Sequence, residues 1–458
     1  MVRKIDRNVI VVRHASDPDI PNTELAELVG RDKISGDIFI NIEQGLADIC
    51  IRQFERPIHR IHGLLRQVNE RAYEPEIVAI GPYHRTKEST KMMEEHKHRY
   101  LKNLINSKPL QKYRAAMSEL ENEAHEYYVE PIGLNDKEKF VDMMILDGCF
   151  IIELLRKNNM SELREKDDII FKFDWMLSSL QRDLLLLENQ MPFKVLCKLF
   201  DLVEAPNQHS RLAYLVCCFF KNLFPGMTID EEEDKVETTT KDVGHLLGLI
   251  HSRWHLGSQQ QNDAKVRSRN IKRDRKFVCA STLKEAGVVF KKGENPSLFA
   301  IEFQKGKLRI PQLTFEDRTE TIFRNFIAYE QYSKKPQERF VTDYINFLGR
   351  LIGSEKDVDL LCEYSIIDNW MGDTKAISDI FRKINECITV ESLEESRYSM
   401  VFEKLNTHCN KRGNRWKAKM WSNYCNPWGI TSICAAFLII CLSIAQLVFA
   451  ILKYYKKN

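Results

Sequence analysis

The sequence predicts a mainly α-helical protein, in which a large helical body contains a small β-meander and is followed by one C-terminal transmembrane helix. Three observations lead to this fold class. Apolar residues recur at helical spacing through most of the chain, and short, partly alternating segments interrupt them between Ala286 and Ile310. In addition, Ile430 to Leu452 runs 23 residues without a charge, which is the length of a membrane-spanning helix.

The composition is that of an ordinary globular protein. Of the 458 residues, 43% are hydrophobic and 29% are charged, which excludes a disordered or a fibrous chain. The 68 basic and 65 acidic residues nearly cancel to a net charge of +3, so no overall field draws the chain onto nucleic acid. No two of the 12 cysteines form a CxxC pair, and we expect mostly reduced thiols that face the cytosol.

The N-terminal segment, residues 1–40, predicts a loosely ordered lead-in because it shows no sustained period and is interrupted by Pro18 and Pro21. Charged residues are scattered through it as far as Gly30, and no apolar stretch of signal-peptide length occurs among them. We therefore expect targeting information to lie elsewhere. Residues 41–225 are predicted to form the first part of the helical body.

That first part is predicted to contain several helices and one β-like interruption. Apolar residues from Ile42 to Val68 recur close to helical spacing with a break at Pro57, and Glu74 to His84 forms a short β-like run ended by a Gly81-Pro82 turn. Three further helices are predicted, at Glu94–Leu104, Met117–Tyr128 and Phe140–Leu155. The third is apolar on most sides, so we expect it inside a large core.

The segment from Leu184 to Leu202 combines an apolar helical pattern with a polar break. Glu188, Asn189 and Gln190 follow four leucines and precede Pro192, which removes a backbone donor. We predict a helix break inside the core, where these polar groups must find partners because an unpaired buried group costs about 1 to 3 kcal/mol. Two interpretations stay open: a structural hydrogen-bond network that fixes the break, or a ligand site.

Residues 226–277 predict a charged insertion or linker. An acidic run at 230–234 is followed by a short apolar helix at Val243–His251, a glutamine tract and a basic run at Lys265–Lys276. The basic run could serve as a nuclear signal or a nucleic-acid patch. Its aromatic interleaving is poor and a membrane anchor argues against nuclear residence, so nucleic acid is not an expected partner.

Residues 278–410 predict the second part of the body, with a small β element followed by helices from Glu320 to Asn406. Glu320 and Arg324 stand at the i, i+4 spacing of a helical ion pair. Glu330 and the glutamine after it are expected to play a role like that of the Glu188 to Gln190 run.

The C-terminal region predicts membrane attachment. A basic, aromatic juxtamembrane segment at 411–429 precedes the span at 430–452, and a short basic tail at 453–458 follows it. At 1.5 Å per residue the span is roughly 34 Å long, so the lipid bilayer is the expected partner of Ile430 to Leu452. The basic flanks favour a single-pass, tail-anchored topology with the body in the cytosol. The organelle is not indicated.

The densest polar constellation consists of Glu94, Glu95, His96 and His98 on one predicted helix, with His84 upstream. His96 and His98 point about 200° apart, so one helix cannot present both to a metal. The sequence also contains no GxSxG and no glycine-rich phosphate loop. No catalytic, metal-binding or cofactor-binding residue is therefore assigned, and no cofactor is expected.

Six motifs, in order along the chain, resemble the plant DUF247 family, also catalogued as UPF0481. They are Val68–Pro75 with Ile80–His84, Met93–Leu101, Asp147–Leu154, Asp183–Phe193, Glu285–Phe290 and Thr319–Gln331. One departure is Cys50–Pro57, where relatives usually read Cys-Ile-Tyr-x-Val-Pro. The resemblance implies a C-terminal membrane helix and a family that is largely uncharacterised, with members implicated in grass self-incompatibility and no accepted catalytic residue.

These observations lead to three functional hypotheses. The first is a membrane-anchored protein whose body binds another, unknown protein as an interaction or recognition module. The second is a hydrolase or transferase with an unrecognised active site near His84, Glu94 and His96, if the fold brings them together. The third is a nucleic-acid-associated factor that acts through residues 265–276.

Overall fold

A computed structural model describes eleven stretches of the chain, which are 58–105, 109–130, 132–133, 136–204, 209–227, 243–259, 279–332, 339–386, 388, 396–411 and 427–455. All of them belong to one compact unit, Arg56–Asn458. Outside the described residues lie the predicted lead-in at 1–40, the acidic and basic runs of the insertion, most of the juxtamembrane segment at 411–429 and residues 456–458 of the basic tail at 453–458.

The fold is mainly α-helical, as predicted. The helices are α1 (Gly63–Val68), α2 (Lys91–Ile105), α3 (Leu110–Glu126), α4 (Lys137–Asn159), α5 (Ile169–Lys172), α6 (Asp174–Asp183), α7 (Phe193–Val203), α8 (His209–Phe220), α9 (Leu246–Gln259), α10 (Ala280–Glu285), α11 (Thr319–Tyr332), α12 (Phe340–Leu351), α13 (Glu355–Glu363), α14 (Thr374–Glu386), α15 (Ser399–Asn410) and α16 (Pro427–Tyr455). The strands are β1 (Val289–Lys292), β2 (Glu302–Gln304), β3 (Lys307–Ile310), β4 (Leu313–Phe315) and β5 (Ile367–Asn369).

Helix α4 forms the centre of the first part of the body. Asp136 caps it by accepting hydrogen bonds from the N–H groups of Glu138 and Lys139. From Phe140 to Leu155 nearly every side chain is buried, because α2, α3, α7 and α8 pack around α4 on several sides. The prediction that this apolar segment lies inside the core is confirmed.

The second part of the body is built on α11 and α12, which pack against each other, while α14 packs on α12 and α13. Helix α9 joins the two parts because it contacts both α8 and α11. Its Trp254 is 2% exposed and lies against Phe224, Phe299 and Phe326. A core helix therefore occupies part of the segment predicted to be an insertion, and it includes most of the predicted Val243–His251 helix.

A small three-stranded sheet follows α10 along the chain. Strands β2 and β3 form a hairpin whose turn has positive φ at Lys305 (50°) and Gly306 (77°), as a two-residue type I′ turn requires. Strand β1 adds to the other edge of β3 in parallel, so the order is β1-β3-β2 rather than that of the predicted meander. Strands β4 and β5 form a separate parallel pair that the sequence did not predict.

The sheet order follows from burial. Phe290, Leu308 and Phe303 lie side by side across the three strands and are each at most 7% exposed. A meander would place β2 in the middle. The observed order instead places β3 in the middle, where Leu308 and Ile310 are both fully buried.

Two predictions about the start of the body need correction. Residues 58–62 lie in the predicted Ile42–Val68 helix but are extended, and the helix begins at Gly63. The β-like run from Glu74 to Ile80 bends at residues 74, 76 and 77 and pairs with no strand among the described residues. Its backbone N–H groups are taken by side chains instead.

The C-terminal helix α16 includes the whole predicted span. Its Cys434–Leu452 stretch is long and apolar enough to cross a membrane, and none of that stretch is buried against the rest of the protein. A core helix of this composition would be mostly covered, as α4 is. The structure therefore agrees with a membrane-spanning helix as far as length, composition and exposure can indicate one.

Candidate functional site

The polar run singled out by the sequence lies in the turn between α6 and α7. Glu188, Asn189 and Gln190 are each 1% exposed. Helix α6 ends at Asp183, and α7 begins only after Pro192. The predicted break inside the core is confirmed, and the side chains of Asn189, Gln190 and Asn325 bond backbone groups that it leaves free.

Asn189 connects this turn to the irregular segment at residues 74–81. Its Oδ1 accepts the N–H of Ile80 at 2.7 Å. Its Nδ2 donates to the carbonyls of Val78 and Asp183 at 2.9 and 3.0 Å. One buried amide therefore satisfies three backbone groups that would otherwise lack partners, as burial requires.

Asp183 binds the same segment at residues 76–78, which precede the Ile80 contact of Asn189. Its carboxylate accepts the N–H groups of Glu76, Ile77 and Val78 at 2.8 to 3.0 Å. Burial raises the pKa of Asp183, although these hydrogen bonds and the neighbouring Arg182 guanidinium act in the opposite direction. Three consecutive N–H groups converge on one carboxylate, which explains why the predicted β-like run joins no ladder.

Gln190 holds the turn together and links it to the second half of the body. Its Nε2 donates to the carbonyls of Leu184 and Leu186 at 2.7 and 2.9 Å. Its Oε1 accepts the N–H of Leu247, in the first turn of α9, at 3.2 Å. Both ends of the amide are satisfied.

Glu188 is the buried anion of the turn. Both of its oxygens accept from Arg66 Nη2 at 2.6 and 2.7 Å, and Oε1 also accepts the N–H of Ile61 at 2.6 Å. His84 Nε2 lies 3.0 Å from Oε2, although not in well-directed hydrogen-bond geometry. Burial favours the neutral acid, but the contacts with His84, Arg66 and Ile61 outweigh it and hold the pKa of Glu188 below its usual range.

A second buried charge pair lies beside the first. Lys97 Nζ is fully buried and donates to Ala79 O at 2.5 Å, to Glu94 Oε1 at 2.6 Å and to Asp147 Oδ1 at 2.7 Å. Asp147 Oδ2 accepts the N–H of Gly81 at 2.9 Å. The irregular segment at residues 74–81 is therefore fixed to α2 and α4 as well as to the α6–α7 turn.

Gly81 is required where the segment bends. Its φ is +72°, and a Cβ there would lie 2.6 Å from the carbonyl oxygen of Gln190. A larger residue would be strained and would push the segment off the turn. The predicted Gly81-Pro82 turn is confirmed, and its reason is this close approach.

The three residues of the hydrolase or transferase hypothesis, His84, Glu94 and His96, have different contacts in the structure. His84 contacts Glu188, and Glu94 binds Lys97. The guanidinium nitrogens of Arg85 lie 3.8 Å from Asp147 and 4.0 Å from Glu94. His96 lies partly exposed on α2, and no contact with His84 or Glu94 occurs in the part of the chain that the structure describes.

The other sequence expectations can be placed as well. His98 is exposed, and its Nδ1 lies 2.8 Å from the carbonyl of Glu94. Arg324 Nε donates to Glu320 at 2.7 Å, so the predicted i, i+4 pair is confirmed. Across the described stretches, no three His, Cys, Asp or Glu side chains are arranged to hold a metal ion.

Glu330 plays the role expected from its likeness to the Glu188 run. Its carboxylate accepts the N–H groups of Val341 and Thr342 at 3.0 and 2.8 Å, which satisfies free donors at the start of α12. His251 Nε2 lies 2.8 Å from the same carboxylate. Here too a buried acid completes backbone hydrogen bonding at a helix end.

Sequence reasoning missed four members of the network, which are Arg66, Lys97, Asp147 and Asp183. Asp147 and Lys97 gave a usable signal, because each is a charge on the apolar face of an amphipathic or buried helix. Arg66 gave none, since its partner is 122 positions away. The arrangement as a whole pairs every acid with backbone N–H groups or cations.

Comparison with known proteins agrees with the resemblance read from the motifs. The family model DUF247, described as a plant protein of unknown function, matches residues 58–442. A UPF0481 protein of Arabidopsis thaliana is 31% identical over 426 residues, covering 87% of this chain and 86% of the relative. A putative UPF0481 protein of the same plant is 20% identical over 469 residues, covering 82% and 86%. No solved structure matches the chain significantly.

Proposed function

We propose that this chain, which belongs to the DUF247 family of plant proteins, is a membrane-tethered recognition protein. In this proposal α16 anchors the chain in a bilayer, and the helical body binds another protein. The body lies on the cytosolic side.

The observation that carries the proposal is the exposure of α16. Every described side chain from Cys434 to Leu452 is exposed, including Phe437, Leu447 and Phe449. So large an apolar surface is unfavourable in water and points to a membrane or a protein partner. A helix of this length with no charge in it fits the hydrocarbon core.

The polar network gives no support to catalysis near His84. A general acid or base needs access to substrate and a protonation state that it can change. Glu188 is fully buried and bound by Arg66, and Glu94 is bound by Lys97. These acids are held by cations and, for Glu188, by the N–H of Ile61, and the hydrolase or transferase hypothesis gains no support from them.

Exposed aromatic side chains give the body a means of binding proteins. Phe173 and Trp175 are 50% and 55% exposed at the junction of α5 and α6, and Trp370 is 70% exposed after β5. Trp is enriched among the residues that dominate protein interfaces. We propose that these side chains contact the partner.

The cytosolic position of the body is supported by its thiols. The described cysteines of the body are all free, and Cys149, Cys197 and Cys217 are buried. Free thiols of this kind are usual in a reducing compartment. The exposed Asn159, in the sequence Asn159-Met160-Ser161, would be an acceptor for N-glycosylation in the secretory lumen.

The first experiment tests the anchor and its orientation. Full-length protein in plant membranes is extracted with carbonate, beside a variant truncated after Asn426. The proposal expects the full chain to stay in the membrane and the truncated chain to be released. It also expects Asn159 to be unmodified and a glycosylation tag after Asn458 to be modified.

Opposite results separate the parts of the proposal. Release of the full chain by carbonate would refute the anchor. A mass shift removed by endoglycosidase H and abolished by Asn159→Gln would place the body in the lumen and overturn its cytosolic position.

The second experiment tests recognition by proximity labelling from the body. Trp175→Ala and Trp370→Ala are compared with wild type and with Leu64→Ala, a matched control because Leu64 is 74% exposed elsewhere on the body. The proposal expects at least one labelled protein to depend on a tryptophan and not on Leu64. Identical labelling by all four proteins would contradict the proposed contact surface.

A further inference from the structure

Gln446 is an unusual residue for its position in α16. The stretch from Cys434 to Leu452 contains no charged residue, and Gln446 is its one side-chain amide. Gln446 lies three residues from Ser443, the midpoint of the stretch, so it lies about 4.5 Å along the helix axis from the centre of the span. A carboxamide is therefore placed deep in the region that hydrocarbon would occupy.

An amide at this depth needs a partner, because lipid offers no hydrogen bonds. The Ser443 hydroxyl finds one within its own helix by donating to the carbonyl of Ile439 at 2.8 Å. The Gln446 side chain is exposed and has no hydrogen-bond partner in the part of the chain that the structure describes. The amide is therefore available to a second molecule in the membrane.

Gln446 also lies on a distinct face of the helix. Six positions alternate between spacings of four and three, which is the heptad pattern of left-handed helix pairs; they are Ser432, Ala436, Ile439, Ser443, Gln446 and Ala450. At 100° per residue these positions fall within an arc of about 80°. Five of the six are small or polar, and such residues allow the backbones of paired membrane helices to approach closely.

The opposite face is different in kind. Phe437, Ile444 and Val448 lie about 160° to 200° from Gln446 and are large and apolar. Those side chains suit contact with lipid. The helix is therefore two-sided although it is apolar overall.

We propose that α16 pairs in parallel with α16 of a second copy of this chain, through the face centred on Ser443 and Gln446. The inference rests on the proposed function, because it requires α16 to span a membrane. Two copies inserted with the same topology place their Gln446 side chains at the same depth. A carboxamide both donates and accepts, so the two side chains satisfy each other.

A disulfide-trapping experiment tests which face is paired. Full-length protein in membranes is oxidised with copper phenanthroline, with Ser443→Cys compared with wild type. The native Cys434 and Cys441 are built-in controls, because they lie about 180° and 160° around the helix from Ser443. The proposal expects a disulfide-linked dimer for Ser443→Cys that exceeds the wild-type background.

A second measurement tests the role of the amide. Association of two differently labelled full-length copies in liposomes is measured by energy transfer for wild type, Gln446→Leu and Val448→Leu. Gln446→Leu is expected to lower the association constant about three- to thirty-fold, the range that interhelical hydrogen bonds contribute. Val448→Leu, on the opposite face, should leave it unchanged.

The outcomes separate this inference from the proposed function. Carbonate resistance is measured for every variant, and Gln446→Leu should retain it because leucine favours insertion. An anchored wild type that neither associates nor cross-links at Ser443→Cys refutes the pairing alone. A cross-link to a protein of different mass would show that this face binds another protein and would overturn the proposal that a second copy of the chain binds there. Loss of wild-type protein to the carbonate wash would refute the anchor itself.

Discussion

Removal of the Lys97 ammonium should strongly destabilise the body. Lys97 is fully buried, and its Nζ lies 2.7 Å from Asp147, which is 1% exposed. Lys97→Met keeps much of the side-chain volume but leaves the Asp147 carboxylate with the N–H of Gly81 and the more distant guanidinium of Arg85, 3.8 Å away. Breaking a buried pair by removing one partner costs about 3 to 5 kcal/mol, because the remaining charge is uncompensated.

The matched control is on the same helix. Lys91 also pairs with an acid three residues away, Glu88, but the two side chains are 63% and 84% exposed. Lys91→Met should therefore lower the free energy of unfolding by less than about 1 kcal/mol. The same substitution is made at both positions, so the comparison sets a buried ammonium against an exposed one.

The assay is urea unfolding of the full-length protein in detergent, followed by circular dichroism. The double variant Lys97→Met/Asp147→Asn completes a cycle, and it should be less destabilised than the sum of the two single variants because neither partner is then left charged and alone. A cost of Lys97→Met no greater than that of Lys91→Met, or strict additivity with Asp147→Asn, would refute the reasoning.

Three further predictions concern pH, backbone and thiol chemistry. Burial raises the pKa of Asp343 to about 6, above the ~3.9 of the same group in an unfolded chain. The protonated carboxyl therefore adds up to about 3 kcal/mol to the free energy of unfolding below pH 4, and this contribution is lost as the pH rises through 6. Asp343→Asn should flatten urea midpoints between pH 4 and 7, and an unchanged slope would contradict the assignment. Gly81→Ala should lower the free energy of unfolding by at least about 2 kcal/mol, because alanine is strained at a left-handed φ and its Cβ would lie 2.6 Å from Gln190 O. A urea midpoint equal to that of wild type would disprove the close approach. Burial raises the pKa of Cys149 to about 12, so maleimide at pH 8 should modify this thiol only after the protein unfolds. Detection of maleimide-labelled Cys149 in the native protein by mass spectrometry would count against this packing.

The helices were the most predictable part of the fold. The segment from Phe140 to Leu155 is apolar on most sides, and the structure buries it at the centre of the first half of the body. The break before Pro192 was predictable for a local reason, because proline cannot continue the hydrogen bonding of the preceding turn. Such features depend on neighbours a few positions away in the chain.

The strands and the network were harder to predict. The run from Glu74 to Ile80 has a β-like pattern, but N–H groups within it bind Asp183 and Asn189 instead of another strand. The predicted meander had the right segments and the wrong order, because β1 pairs with β3 across an intervening strand in the sequence. The enzyme hypothesis grouped His84, Glu94 and His96 by nearness in sequence, and the fold places His96 apart from the contacts of the other two.

The sequence by itself determined the helical class, the family and the apolar C-terminal helix, because helical period, motifs and unbroken hydrophobicity are properties of contiguous residues. The tertiary structure alone decided what the buried charges do. Glu188 meets Arg66 across 122 positions and Asp183 meets Ile77 across 106, and no local pattern encodes which distant donor an acid will find. A buried charge must be paired, but its partner is chosen by the packing of the whole chain.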